Sequence, residues 1–229
     1  APYDFTYMPD SDNGLFYIEP SQMETWLTSL ADIGYGAHIH AIGDGAVKAS
    51  LDAIEMLGGH RSEQVYTLTH VEMVAPEDIP RFANLGVSAD FQVGSDYIAQ
   101  HDHSWAAPFI GHERSDAMMP IAKIYNTGAN VSLSSDWNVH SLNPLIGIAN
   151  SLIMGKKGLP NIDSAIAAYT INPAKILKLD HITGEIALGK SADLVVLDQD
   201  ITRLSPAKIK ETAILMTLLQ GEIVFDSED

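Results

Sequence analysis

Apolar positions along this chain switch repeatedly between two periods. In METWLTSLADIG, Trp26, Leu27, Leu30 and Ile33 recur at helical spacing, and Gly34 stands where a helix would stop. YGAHIHAI is short, apolar and bounded by glycine, which predicts a buried strand. DGAVKASLDAIEML returns to helical spacing through Val47, Leu51, Ile54 and Leu57, with Gly58 and Gly59 to end it. QVYTLTHVEMV, rich in β-branched and aromatic residues, predicts a strand. APEDIPRFANLG predicts a helix opened by Pro76 and closed by Gly86.

VSADFQV predicts a third strand, SDAMMPIAKIYNTG a helix bent at Pro120, ANVSLSSD a fourth strand, and NPLIGIANSLIM another helix. Strand then helix at a spacing of about thirty residues marks βαβ units around a parallel sheet. After Lys157 the pattern changes. DSAIAAYTINPAKILKL predicts a helical pair broken near Asn172 and Pro173. GEIALGKSADLVVLD and ETAILMTLLQGEIVFD predict strands, the latter with a turn at Gln220 and Gly221, in a small β-structure beside the main sheet.

Composition narrows the chemistry. With 13 basic and 30 acidic residues the net charge is −17, a field that repels phosphate backbones and anionic membranes. Neither a nucleic acid nor a membrane is expected as partner, and no apolar run approaches the ~18 residues of a bilayer span. There is no cysteine, so disulfides, thiolate catalysis and cysteine-held zinc are excluded and any metal falls to His, Asp or Glu. The opening APYDFTYMPD shows neither the basic start nor the apolar stretch of a signal peptide. The compartment stays open between cytoplasm and periplasm.

Parallel α/β folds bind ligands beyond the carboxyl ends of their strands. The predicted strands end in His40, His70, Gln92 and Asp136. His40 and His70 lie one βα unit apart, which predicts neighbouring strands and matching heights. A single strand-end histidine is more often a hydrogen-bonded structural residue than a ligand. Two imidazoles and a carboxylate, each at a strand end, shift the balance toward an open site for a divalent metal held by His40, His70 and Asp136. His38 shares the face of His40 by strand alternation and is expected a layer deeper, packed. Asp44 in GDG suits a turn and helix start better than a ligand position. His101 and His103 in QHDHSW, and His140 after the fourth strand, are expected in loops, solvated or overhanging the site. No nucleophile elbow, phosphate loop or dinucleotide fingerprint is present.

HAIGDGAV, LTHVEMVAPEDIPRFANLGVSADFQ, SLSSDWNV, AYTINPAKILKL and GEIALGKSADLVVLD resemble, in order and over essentially the whole chain, the landmarks of the amidohydrolase superfamily. The similarity falls in its family-3 branch of deformylase-like hydrolases, and SSDWNVHSLNPL is similar to members called AepA-like exoenzyme regulators. The resemblance implies the C-terminal part of a (β/α)8 barrel, about strands five to eight, in residues 1–180. It implies part of an accessory β-domain in residues 181–229.

It further implies that His40 and His70 bind one divalent metal, zinc first with iron or manganese also suited. Asp136 would contact metal and carry the proton of the attacking water. The expected reaction is hydrolysis of a carbon–nitrogen amide-type bond of a small molecule, with Gln92, His103, Arg114 and Trp137 as substrate contacts. A non-catalytic, regulatory protein on the same scaffold is the second reading. The paired histidines that open family members are expected upstream of Ala1. The chain alone is therefore expected to be weak or inactive, and its open sheet edges to pair with a second copy.

Overall fold

The computed structural model describes residues 14–59, 63–99 and 103–228. His101 lies outside them. The chain forms two compact units, one within Ala1–Phe91 and Gln100–Val131, the other within Gln92–Ala99 and Ser132–Asp229.

The first unit opens with α1 (Pro20–Asp32), β1 (Ala37–Ala41), α2 (Asp44–Met56), β2 (Tyr66–His70), α3 (Ile79–Leu85) and β3 (Ser88–Gln92). Asp44 is the first residue of α2 and its carboxylate accepts from the backbone N–H of Gly45 at 2.9 Å, a helix-start role. Gly86, at φ 69°, closes α3 in the left-handed conformation that glycine adopts most cheaply. The expected start at Pro76 moves to Ile79, with Pro80 in the first turn and Asp78 before it.

β1 and β2 run parallel, as do β2 and β3. Their register sets residues into rows. Ile39, Ala41, Leu68, Ala89 and Phe91 share one face, while His38, Thr67 and Ser88, then His40, Thr69 and Asp90, form two rows on the other. The apolar face is buried with Val47, Leu51 and Ile54 of α2 and Phe82 of α3. Each such side chain contributes about 1.5–3 kcal/mol. Parallel sheets usually bury apolar residues on both faces; here one face is polar.

β2 ends at His70, the expected strand end, because His70 and Val71 adopt positive φ (73° and 50°) and leave the strand direction. One expectation changes in this unit. The single bent helix around Pro120 is instead two, preceded by short turns: α4 (Asp96–Ala99) belongs to the second unit, and α5 (Ala107–Ile110), α6 (His112–Asp116) and α7 (Ile121–Tyr125) to the first. Met119 at φ 54° and the missing Pro120 N–H separate α6 from α7.

The second unit carries β4 (Val131–Ser134), α8 (Pro144–Ile153), α9 (Ile162–Tyr169), α10 (Ile171–Ile176), β5 (Leu194–Leu197), α11 (Pro206–Ile209), β6 (Ile214–Leu219) and β7 (Glu222–Asp226). The larger sheet has the order β1-β2-β3-β4 and the smaller β5-β6-β7, antiparallel. Asn143 caps α8 by accepting from the Leu145 N–H. The break between α9 and α10 falls at Thr170, before the expected Asn172, because Pro173 is accommodated in the first turn of α10.

β6 and β7 join through Gln220 (φ 54°) and Gly221 (φ 86°), a two-residue hairpin turn. Asp193 of GKSAD accepts from the Gln220 N–H and from the hydroxyls of Thr183 and Ser191. Those bonds, the backbone one first, lower its carboxyl below the usual range. The motif thus ties the segment before β5 to the hairpin. No helix among the described residues is long and apolar enough to cross a membrane.

Candidate active site

On the polar face of the first unit, Nδ1 of His40 and Nε2 of His70 stand 2.7 Å apart, with ring centroids separated by 4.9 Å. The contact does not come from matching heights. His40 is in register with Thr69, and His70 with Ala41, one residue further along. Alternation would put His70 on the face of Leu68. The left-handed φ at His70 breaks the alternation and turns its ring to His40. For a non-glycine residue this conformation is uncommon, and for β-branched Val71 it is an outlier costing about 1–3 kcal/mol. Full burial of the Val71 side chain and its N–H bond to the Ala41 carbonyl (3.1 Å) hold it there.

Beneath the pair, Thr69 donates its hydroxyl to Asp90 at 2.9 Å, both buried, and Asn130 donates to Ser88 at 3.1 Å. His38 is exposed on this face, not packed as expected, with its ring edge-on to His40 at 6.3 Å. The surrounding strands still desolvate it, lowering its pKa. Asp90 offsets part of that, and His40 and His70 lower it further. Glu72, two residues past His70, is raised by desolvation, with the His70 imidazole opposing.

A cavity of about 590 Å³ starts at His40 and Glu72 and continues between Phe16, Ile42, Met73, Trp105, Phe109 and Met118. Ala106, Ile110 and Met118 form its buried floor, against which Met73 and Phe109 pack. Glu72, Trp105 and Phe109 were not singled out from sequence. The position of Glu72 two residues past a strand-end histidine was the available signal. A cavity of about 650 Å³ between α9, α10 and β5 is lined by no histidine.

His103 is buried rather than solvated, and its carbonyl accepts from the Ser115 hydroxyl at 2.5 Å. Arg114, half-buried, donates Nε to the Ile110 carbonyl at 2.6 Å, capping the end of α5.

In the second unit, Gln92 is buried and donates to the Ser134 hydroxyl at 2.9 Å. Asp136 and Trp137 follow β4 at φ 54° and 56°, again two consecutive left-handed residues without glycine. The turn is closed by N–H bonds from Val139 to the Asp136 carbonyl (3.2 Å) and from His140 to the Ser135 carbonyl (3.0 Å). His140 contacts the Ser95 hydroxyl through Nδ1, and Asn150 donates to the carbonyls of Val93 and Ser95. Trp137 is exposed.

The structure therefore brings two of the expected ligands together. Among the described residues, no group of three or more His, Asp or Glu is gathered as a ready-made metal site. Two facing imidazoles at strand ends, with no thiol or lysine in the contact, are a donor set that suits a divalent ion as half of a tetrahedral complement.

The sequence matches the Amidohydrolase family over residues 2–225, and the chain belongs to that family. It is similar to YtcJ of Bacillus subtilis, at 25% identity over 94% of this chain and 42% of YtcJ. It is also similar to an N-substituted formamide deformylase of Arthrobacter pascens, at 24% identity over 93% of this chain and 41% of the deformylase. Among solved structures, an uncharacterized metal-dependent hydrolase from Pyrococcus horikoshii superposes with a TM-score of 0.75 at 21% identity, covering 90% of this chain and 42% of that one. The chain thus spans about two fifths of the length of these relatives.

Proposed function

We propose that this chain supplies metal ligands and the proton-carrying carboxylate of a hydrolase that cleaves a carbon–nitrogen amide-type bond. The observation that carries the reading is the His40–His70 contact, made only because the backbone leaves the strand at a sterically costly residue. Left-handed backbone at a non-glycine residue clusters at functional sites, and Asp136 shares it; Met119, Lys178 and Gln220 carry it at turns, so the His40–His70 contact, and not the φ angle, carries the reading.

In this reading β1 to β4 correspond to strands five to eight of a (β/α)8 barrel. His40 and His70 would hold a divalent ion, zinc ahead of iron or manganese, and Asp136 is the carboxylate that the family resemblance assigns to the same chemistry. Bound there, the ion supplies Lewis acidity and makes a water acidic enough to ionise near neutral pH. Asp136 takes the proton of the attacking water and delivers it to the leaving nitrogen. Gln92, held by Ser134, and Trp137 face substrate, whereas His103 and Arg114 shape the loops that carry the cavity.

Asp136→Asn keeps the size of the side chain and removes its basicity. An amide hydrolysed by the natural polypeptide containing this chain should lose about 10²–10⁴-fold in kcat, with an unchanged circular dichroism spectrum. Turnover surviving at wild-type rate contradicts the proton role. Metal bound with no amide turned over favours the regulatory scaffold.

A further inference from the structure

We propose that the cavity beside His40 receives the non-reacting group of the substrate, and that this group is apolar and cationic: an aromatic or branched hydrocarbon bearing a basic nitrogen. The inference rests on the hydrolase reading for calling the occupant a substrate; the ligand class follows from the cavity itself.

Its size, about 590 Å³, falls in the range of roughly 300–1,000 Å³ typical of small-molecule sites. Its walls combine aliphatic and thioether groups (Ile42, Met73, Met118) with the aromatic side chains of Phe16, Trp105 and Phe109, the first two on the exposed side. Such walls strip water from an entering group and reward hydrocarbon. The charged side chains on the lining are the carboxylates of Glu72 and Asp44, and no lysine or arginine is among the described lining residues.

Away from the ion proposed at His40, a carboxylate entering here would lose hydration with no cationic side chain among the described lining residues to receive it, a desolvation cost without repayment. An ammonium would meet Glu72 and the aromatic faces, both of which attract positive charge. The chain's net charge of −17 adds long-range attraction of the same sign preference. Amides whose non-reacting group ends in a free carboxylate are therefore disfavoured in the part of the cavity beyond His40, and cationic aralkyl or branched alkyl amides are favoured.

Calorimetric titration of the natural polypeptide with three probes sharing one ring tests this: benzyltrimethylammonium, benzyl alcohol and benzoate. The quaternary cation cannot ligate a metal, so its binding reports the cavity. The expected order is cation, alcohol, benzoate, with the cation bound about tenfold more tightly than the alcohol. Glu72→Gln should erase the cation's advantage while leaving the alcohol unchanged, and Phe109→Ala should weaken cation and alcohol alike. Benzoate binding as tightly as the cation when a chelator is present to remove metal ligation overturns the proposal, as does an advantage that survives in a folded Glu72→Gln protein. Should that variant not fold, the probe order on the unmodified protein decides by itself. Preference for the cation with no amide hydrolysed would keep the cavity assignment and sink the hydrolase reading. Hydrolysis confined to carboxylate-bearing amides would do the reverse.

Discussion

At the end of β2 the backbone turns left-handed at His70 and Val71; at the end of β4 it does so at Asp136 and Trp137. The two ends hold the same costly geometry by different means. After β2 the hold is made by side chains: Val71 is fully buried and His70 meets His40. After β4 the hold is made by backbone: the turn closes on itself through Val139 and His140, and Trp137 projects with 77% of its surface exposed. Nearby, Gly94 allows Ser95 and His140 to meet, since a Cβ on Gly94 would stand 2.8 Å from the His140 Cβ and 3.0 Å from the Ser141 carbonyl oxygen. A side chain whose position is fixed by packing suits a ligand. A carboxylate on a closed turn, with no side-chain hydrogen bond of its own among the described residues, suits proton transfer.

The difference can be broken at each end. Gly94→Ala forces the His140 turn apart and should cost about 1–3 kcal/mol, read as a lower denaturation midpoint. An unchanged midpoint would mean that the close approach is not needed to hold the turn. Val71→Gly relieves left-handed strain but forfeits a buried side chain, so a net loss of about 1–2 kcal/mol is expected in chemical denaturation. Trp137→Gly relieves the same strain and gives up little burial, so the same measurement should show a gain of up to about 1 kcal/mol. Equal signs for the two glycine variants would erase the distinction between the strand ends.

The smallest effect concerns His38. Its folded pKa is lowered, so the unfolded chain takes up the proton first. The stability it contributes is complete above the ordinary histidine value of 6.5 and is lost progressively as pH falls from there through the folded value. His38→Asn should flatten the dependence of the denaturation midpoint on pH between about 7 and 5. A slope identical to wild type would assign the acid sensitivity to other groups.

Much of this was legible in the sequence, for reasons that differ by element. The shift from period two to period 3.6 marks β1 and α2 because each buries one face, and burial writes the pattern; β3, buried throughout, shows instead as a short run between turn residues. Glycine and asparagine mark the ends of α3 and α8 because few residues do their work there. His40 and His70 were readable as strand ends. Their meeting was not, since a left-handed histidine followed by valine leaves no mark comparable to glycine. For the same reason the helix around Pro120 reads as one where Met119 divides it. His103 reads as a solvated loop residue because burial by α5 and α6 is a tertiary fact. Of the three side chains expected to ligate, the sequence could place each at a strand end, but the reach of each depends on φ angles that its neighbours impose.

The central claim is that His40 and His70 act as one ligand pair, and metal content tests it most directly. The natural polypeptide containing this chain, and its His40→Ala and His70→Ala variants, would be dialysed against trace zinc and analysed by plasma mass spectrometry. About one ion per chain in the unmodified protein, lost from each folded variant, is the predicted result. An ion retained by both variants, or none bound by the unmodified protein, would contradict the account.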